Sequence, residues 1–193
     1  YKDYLHDGTN KKECHHASTS GSTGTPFQFY LHQEAVMRSR LYAEKYIEYL
    51  GGRARDIPTV RISGIRIVPP GQEKPPFWVY IDVYRQLQCS AYHISLNTAQ
   101  YYIDAMKKYK VQNGTGYPSA WYSLAQFTKE NGIDAPRLSF IVMDSEKIEE
   151  NERETIEEVF HCKVYMTYGL SEIAQAAVEC PYHHYHIVPP LVY

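Results

Sequence analysis

Residues 138–166 read LSFIVMDSEKIEENERETIEEVFHCKVYM, and this stretch decides the fold of the chain. We predict a buried strand at Leu138–Met143, an amphipathic helix at Glu149–Phe160 and a second strand at Lys163–Met166. A strand, a helix and a strand in this order imply parallel strands joined by a right-handed crossover. The sequence therefore predicts an α/β fold in which helices flank parallel-rich sheets.

A polar motif follows each strand of this β–α–β unit, which spans 138–172. Ser145-Glu146 follows the first strand, and Tyr168-Gly169-Leu170-Ser171-Glu172 follows the second. The carboxyl ends of neighbouring parallel strands meet at one edge of a sheet, where ligands of α/β proteins gather. Gly169 is expected to turn the chain sharply past its strand, so that Glu172 faces this edge. The alternative is a strand-to-loop turn that carries a solvated Glu172.

A run rich in glycine and hydroxyl residues, TSGSTGTP at 19–26, lies far upstream of these motifs. Glycines let the backbone approach a phosphate closely, and successive inward N–H groups form a concave anion site. The candidate phosphate-binding residues of this run are Thr19, Ser20, Gly21, Ser22, Thr23, Gly24 and Thr25. The alternative is a flexible linker, for which Ser/Gly-rich composition is typical.

Together and in this order, TSGSTGTP and YGLSE resemble the phosphate loop and a later motif of the adenylate-forming (acyl-AMP-forming) ligases. Further matches resemble motifs of the phenylacetate–CoA ligase-like branch, which includes the capsular-polysaccharide-biosynthesis type. They are Ser90-Ala91-Tyr92-His93, Gly116-Tyr117-Pro118-Ser119, Ser145-Glu146 with Asp144 in place of a serine, and Glu179-Cys180 followed by His186. The resemblance covers nearly the whole chain. It implies the core of the large N-terminal domain of such an enzyme.

The resemblance also implies a reaction: ATP activates a carboxylic acid to an acyl- or aryl-adenylate, and coenzyme A then takes the acyl group as a thioester. Glu172 would bind Mg²⁺, which prefers one or two carboxylates plus phosphate oxygens. Besides the phosphate loop, the nucleotide would be held by Ser145, Glu146, Tyr168, Gly169, Leu170 and Ser171. The small-molecule carboxylic acid would be bound by Tyr92, His93, Gly116 and Tyr117. His93 and Glu172 are the residues implied as catalytic.

Several of these residues have simpler interpretations that stay open. His93 is also compatible with a core or strand-end histidine. Glu146 is also compatible with a carboxylate at a helix N-terminus, and the charges at 147–158 with a solvated helix face. Relatives in this branch can carry a zinc site, which implies Zn²⁺ at Cys180 and His186. Zinc needs four ligands, and the alternative is a surface loop rich in His and Tyr.

The remainder of the chain is predicted to alternate between strands and helices. The predicted strands are Phe27–His32, Thr59–Val68 with an interruption at Gly64, and Phe77–Val83. The predicted helices are Gln33–Leu50, Thr98–Tyr109 and Pro118–Glu130. The first helix is expected to bury one apolar stripe, formed by Val36, Met37, Leu41, Ile47 and Leu50. Tyr1–Ser18 is expected to be polar and irregular.

Composition excludes several classes of protein. Lys and Arg number 20 against 22 Asp and Glu, and no basic stripe predicts a nucleic-acid surface. No apolar run approaches the ~20 residues that span a bilayer. The four cysteines, Cys14, Cys89, Cys162 and Cys180, are widely spaced and favour reduced thiols in the cytoplasm. A homodimer is a further expectation.

The 193 residues are expected to form a large-domain core without the C-terminal lid domain and its catalytic lysine. Closure by such a domain excludes water and completes the catalytic site. The chain alone is therefore expected to bind nucleotide but to turn over slowly. The alternative, from another class, is a catalytically incomplete nucleotide- or acid-binding module.

Overall fold

The computed structural model describes residues 10–18, 27–52, 57–170 and 174–188. Four helices of ten or more residues lie within these ranges: α1 (Gln33–Tyr49), α2 (Ala99–Lys108), α3 (Pro118–Glu130) and α4 (Glu150–Phe160). The strands in these ranges are β1 (Cys14–Ser18), β2 (Gln28–His32), β3 (Thr59–Ser63), β4 (Trp78–Ile81), β5 (Gln86–Ser90), β6 (Asn113–Gly116), β7 (Phe140–Met143), β8 (Lys163–Leu170), β9 (Ala174–Glu179) and β10 (Tyr185–Ile187).

Eight of these strands form one sheet, in the order β10-β9-β8-β7-β6-β3-β5-β4. The five from β8 to β5 are parallel, and antiparallel strands continue the sheet on both sides. The predicted β–α–β unit is β7, α4 and β8, with Phe140 opposite Lys163 and Met143 opposite Met166. The prediction of an α/β fold built on a parallel-rich sheet is confirmed.

Successive side chains of the strands point to opposite faces of the sheet and contribute to two hydrophobic cores, one on each face. On one face, Ile141 and Met143 of β7 pack under α2, α3 and α4, and Trp121 meets Phe160 edge-on with ring centroids 5.1 Å apart. On the other face, Phe140 and Val142 pack with Tyr46 of α1 and with Tyr165. The four residues of β7 are therefore buried from both sides, as the apolar run at 138–143 predicts.

The predicted apolar stripe of α1 is only partly buried. Tyr46 packs against the sheet with Ile47 and Leu50 beside it, but Met37 and Leu41 are 64% and 54% exposed. The core contacts of α1 thus lie at its C-terminal end, whereas Met37 and Leu41 belong to its earlier turns. The interpretation of the whole stripe as core is wrong for these two side chains.

Other strand boundaries also differ from the predictions. The segment interpreted as irregular up to Ser18 contains β1, which pairs antiparallel with β2. The strand expected at Thr59–Val68 ends at Ser63. The sequence pattern also missed β6, whose NGTG sequence is typical of turns. Its place between β3 and β7 makes it a strand, because tertiary pairing outweighs intrinsic strand propensity.

The second strand of the β–α–β unit is longer than predicted. β8 does not end at Met166 but continues to Leu170, and from Thr167 onward it pairs antiparallel with β9. The register shifts between Tyr168 and Gly169. Gly169 therefore lies at a β-bulge rather than in a sharp turn. A bulge re-aims neighbouring side chains, and bulges are over-represented next to active sites.

All four cysteines are free thiols, as predicted. Among the described residues, no helix combines the length and apolar character that crossing a bilayer requires.

Candidate functional site

A cleft of ≈ 480 Å³ opens at the carboxyl ends of β7 and β8. One wall is the loop between β7 and α4, with Ser145 and Glu146, and the other is β8, with Tyr168 and Gly169. These four residues are among those predicted to hold the nucleotide. The parallel pairing of β7 with β8 brings them together although 21 residues separate Glu146 from Tyr168 in the sequence.

The first wall begins with a constrained backbone. Ser145 has φ +72°, a left-handed conformation that is uncommon for a residue other than glycine. Its hydroxyl donates to Asp144 Oδ1 at 2.8 Å, and Arg61 lies 3.4 Å from Asp144 Oδ2. The Asp144 N–H donates to the Gly116 carbonyl at 3.1 Å. Asp144 thus connects this wall to β3 and β6.

Glu146 has a structural partner. Its Oε2 accepts the Ser119 N–H at 3.0 Å, in the first turn of α3. A carboxylate there satisfies an unpaired amide and interacts favourably with the helix dipole. The alternative interpretation of Glu146 as a helix N-terminal carboxylate therefore holds, but for α3 rather than for the helix that follows it in sequence. The residue also lines the cleft, so it joins the cleft wall to α3.

Aromatic side chains stand on the opposite wall. Tyr168 is 60% exposed, and Tyr185 of β10 lines the same cleft. Burial, and secondarily Glu179, raises the pKa of Tyr185, while Arg153 lowers it less. The Tyr185 hydroxyl is therefore neutral at pH 7 and able to donate a hydrogen bond. Leu170, also predicted to contact nucleotide, is exposed one residue beyond Gly169.

The predicted acid-binding residues lie at the neighbouring strand ends and not in the lining of this cleft. The Tyr92 hydroxyl donates to the Gly64 carbonyl at 3.1 Å. A Cβ on Gly64 would lie 3.2 Å from both the Tyr117 ring and the Tyr92 hydroxyl. The two tyrosines thus lie on either side of Gly64, the residue that follows the end of β3.

His93 is fixed by two neighbours. Its Nδ1 lies 2.8 Å from Ser90 Oγ, and its ring stacks on Phe77 with centroids 5.1 Å apart. Its Nε2 is buried and has no hydrogen-bond partner among the described residues. A buried polar atom without a partner costs free energy unless another molecule satisfies it. A hydrogen-bond partner for this ring nitrogen, from the rest of the chain or from a ligand, would remove that cost.

Other predicted site residues lie outside the described part of the chain. These are the phosphate-loop residues 19–26 and, in the later motif, Ser171 and Glu172. Within the described ranges, no group of three or more His, Cys, Asp or Glu side chains is placed to hold a metal ion. Cys180 is buried and His186 is exposed, and zinc at this pair stays a prediction.

The charged helix α4 contains buried polar contacts that the sequence interpretation missed. The charges at 147–158 were expected to be solvated, but the Arg153 guanidinium is only 11% exposed and lines the cleft. Glu157 is also largely buried and accepts the Val164 N–H at 2.9 Å. A signal was available, because Arg153 lies three and seven residues before the buried Ile156 and Phe160, on the same helix face.

The chain was compared with family models and with the sequences of known proteins. No family model matches the chain. Protein CapK of Staphylococcus aureus is 32% identical over 165 residues, which cover 83% of this chain and 36% of CapK. The chain therefore spans about a third of the length of this curated relative.

Solved structures of several ligases share the fold at low sequence identity. A 2-hydroxyisobutyryl-CoA ligase in complex with 2-HIB-AMP and CoA superposes with a TM-score of 0.60 at 18% identity, over 91% of this chain and 37% of the ligase. VinN with L-aspartate gives 0.59 at 16%, over 86% of this chain and 40% of VinN. An acyl-CoA synthetase from Brucella canis gives 0.57 at 17%, over 89% and 30%. The resemblance drawn from the motifs is confirmed at the level of the fold: the chain has the fold of these solved ligases and is similar in sequence to Protein CapK.

Proposed function

We propose that the chain is part of an enzyme that activates a carboxylic acid with ATP and Mg²⁺ to an acyl- or aryl-adenylate and then transfers the acyl group to coenzyme A. The observation that carries this proposal is the cleft that joins Ser145 and Glu146 to Tyr168 and Gly169. Two motifs that are distant in sequence share one concave site at the carboxyl edge of a parallel sheet, where α/β proteins bind ligands. One of the similar structures, a 2-hydroxyisobutyryl-CoA ligase, was solved in complex with 2-HIB-AMP and CoA.

The nucleotide is assigned to the cleft. The exposed Tyr168 ring offers a flat face for a planar base, and the bulge at Gly169 leaves room for close approach. Thr19–Thr25 would hold the phosphates through N–H groups and hydroxyls. Mg²⁺, bound by Glu172, would neutralise charge on the phosphates during displacement of pyrophosphate.

The acid is assigned to the adjoining group of Tyr92, His93, Gly116 and Tyr117. Tyr92 and Tyr117 each offer an apolar ring for the wall of a pocket and a polar hydroxyl group at its tip. The unpartnered Nε2 of His93 would hydrogen-bond a carboxylate oxygen of the acid. The Asp144–Gly116 hydrogen bond holds this group next to the cleft, so acid and nucleotide would be neighbours. Such positioning is the main requirement of a displacement at phosphorus. The cytoplasmic location and the homodimer stay predictions.

A pyrophosphate-release screen over aryl and acyl acids, with and without coenzyme A, tests the reaction, and calorimetric titration with Mg·ATP tests binding. We expect Mg·ATP binding, with release that depends on the acid. If the chain binds ATP but releases no pyrophosphate with any acid, it is the incomplete binding module of the alternative. Absence of ATP binding would overturn the proposal.

Replacing Glu172 by glutamine should weaken binding of Mg·ATP more than binding of metal-free ATP. The amide keeps the shape of the side chain but loses the charge that Mg²⁺ prefers. Two titrations, with Mg²⁺ and with a chelator, measure the two affinities. Glu158→Gln, on the exposed side of α4, serves as the control and should change neither. Equal weakening of both affinities by Glu172→Gln would assign this residue a structural role instead.

A further inference from the structure

A buried ion pair lies directly behind the cleft. Arg153 of α4 donates from Nη2 to Glu179 Oε1 at 3.1 Å and from Nη1 to Glu179 Oε2 at 3.2 Å. The two side chains are 11% and 3% exposed. This two-point geometry is specific to the planar guanidinium fork of arginine.

The arginine also holds the neighbouring strand. Arg153 Nη1 donates to the Val164 carbonyl of β8 at 2.6 Å. Arg153 itself lines the cleft, and it lies five residues after Ile148, the last residue of the cleft wall 145–148. The guanidinium thus connects the start of α4, and with it the first wall, to the base of β8.

The glutamate holds the second wall. Glu179 Oε2 accepts the Met166 N–H at 2.7 Å, and Oε1 lies 2.9 Å from His183 Nδ1. Backbone pairing of β8 with β9 begins at Thr167, which lies opposite Val178. The side chain of Glu179 extends this pairing by one residue, because it binds Met166, the residue before Thr167. Met166 and Thr167 both line the cleft.

The backbone of Glu179 is anchored as well. The Tyr46 hydroxyl of α1 donates to the Glu179 carbonyl oxygen. Burial, and secondarily Glu179, raises the pKa of Tyr46, so this hydroxyl keeps its proton at pH 7. Glu179 therefore has a fixed main chain and a fully hydrogen-bonded side chain, which is what a buried carboxylate requires.

We propose that the Arg153–Glu179 pair is a positioning device that holds the two walls of the cleft at the spacing that nucleotide binding needs. One partner belongs to the helix that follows the first wall, and the other binds the strand that forms the second. The pair thereby also fixes β9 beside β8, on either side of the connection that carries Ser171 and Glu172. The link to nucleotide rests on the proposed function.

The choice of variant follows from the energetics of buried charge. Removing one partner leaves the other buried charge unpaired, which strongly destabilises the fold and would confuse an effect on positioning with an effect on stability. Replacing both partners by neutral residues of similar volume is often nearly neutral for stability. The informative variant is therefore Arg153→Met combined with Glu179→Gln, which removes both charges together.

The test compares this double variant with Lys129→Met combined with Glu158→Gln. The control removes another ion pair of α4, 2.7 Å long, that joins α3 on the exposed side of the helix. Two properties are measured: amide hydrogen exchange in the absence of ligand, and affinity for Mg·ATP by calorimetry. We expect the Arg153/Glu179 variant to exchange about 10-fold faster in both walls, at 145–148 and 166–169, and to bind Mg·ATP about 5- to 10-fold more weakly. The control variant should match the wild type in both.

The outcomes separate this inference from the proposed function. If the wild type binds no ATP, the proposed function fails, and faster exchange in both walls of the double variant still supports the positioning device. If hydrogen exchange of the double variant is unchanged in either wall, the positioning device is overturned. It is also overturned if the wild type binds Mg·ATP and the double variant binds it with the same affinity. Uniformly faster exchange across the whole sheet, including β3 and β5, would also overturn it, since the pair would then be a general stabiliser.

Discussion

Replacing Gly116 by alanine should lower the free energy of unfolding by at least about 4 kcal/mol, which is exceptional for a single methyl group. A Cβ at this position would lie 1.8 Å from the Ile62 carbonyl oxygen. This carbonyl already accepts the Tyr117 N–H at 3.0 Å, so it is held in the backbone pairing of β3 with β6. The clash is with main chain and is relieved only by separating two central strands.

Backbone conformation adds to this cost. Gly116 has φ +134°, a region that L side chains rarely adopt and that costs of order 1–3 kcal/mol when occupied. Gly132→Ala is a matched control, because Gly132 also has positive φ, +61°, but no described atom lies within 4 Å of its Cβ position. Its cost should be about 1–2 kcal/mol. Chemical denaturation of both variants measures the difference, and equal losses would contradict the assignment of Gly116 to a close strand contact.

Replacing Gly21 and Gly24 together by valine should weaken ATP binding by about 100-fold or more. Hydrogen bonds to charged groups contribute ~1.5–3 kcal/mol each, and branched side chains at these positions would keep several amides from reaching the phosphates. The fold should remain largely intact. Calorimetric titration with Mg·ATP and a thermal melt of the same sample measure affinity and folding separately.

Gly71→Val provides the control for this second prediction. Gly71 lies in the exposed loop between β3 and β4, and no described atom lies within 4 Å of its Cβ position. The same chemical change should therefore leave ATP affinity at the wild-type value. If the Gly21/Gly24 variant also binds ATP with unchanged affinity while folded, the run at 19–26 is a linker and not a phosphate loop.

The order of elements around the candidate site was predictable from local pattern. The apolar run at 138–143 indicates a buried strand, and the spacing of apolar residues after it indicates a helix with one buried face. The predicted helix Pro118–Glu130 matches α3 at both ends, because proline favours the first helical turn. The motifs at 145–146 and 168–169 were correctly placed at one sheet edge, since adjacent parallel strands leave no other arrangement.

Partnerships between distant residues were not predictable in this way. The NGTG segment of β6 has a turn-like sequence, and only its position between β3 and β7 makes it a central strand. The contact of Glu146 with Ser119 joins residues 27 positions apart, and the contact of Arg153 with Glu179 joins residues 26 apart. Such pairs depend on which elements become neighbours in the sheet, which a window of a few residues does not contain.

The sequence by itself therefore determined the fold class, the β–α–β unit and the edge of the sheet at which the candidate site lies, because each depends on periodicity and chain order. The tertiary structure alone decided that β8 continues through a bulge at Gly169, that Arg153 is buried rather than solvated, and that Glu146 caps α3. Each of these depends on the free energy of burying or pairing a polar group. That free energy is defined only once the surrounding strands and helices are in place.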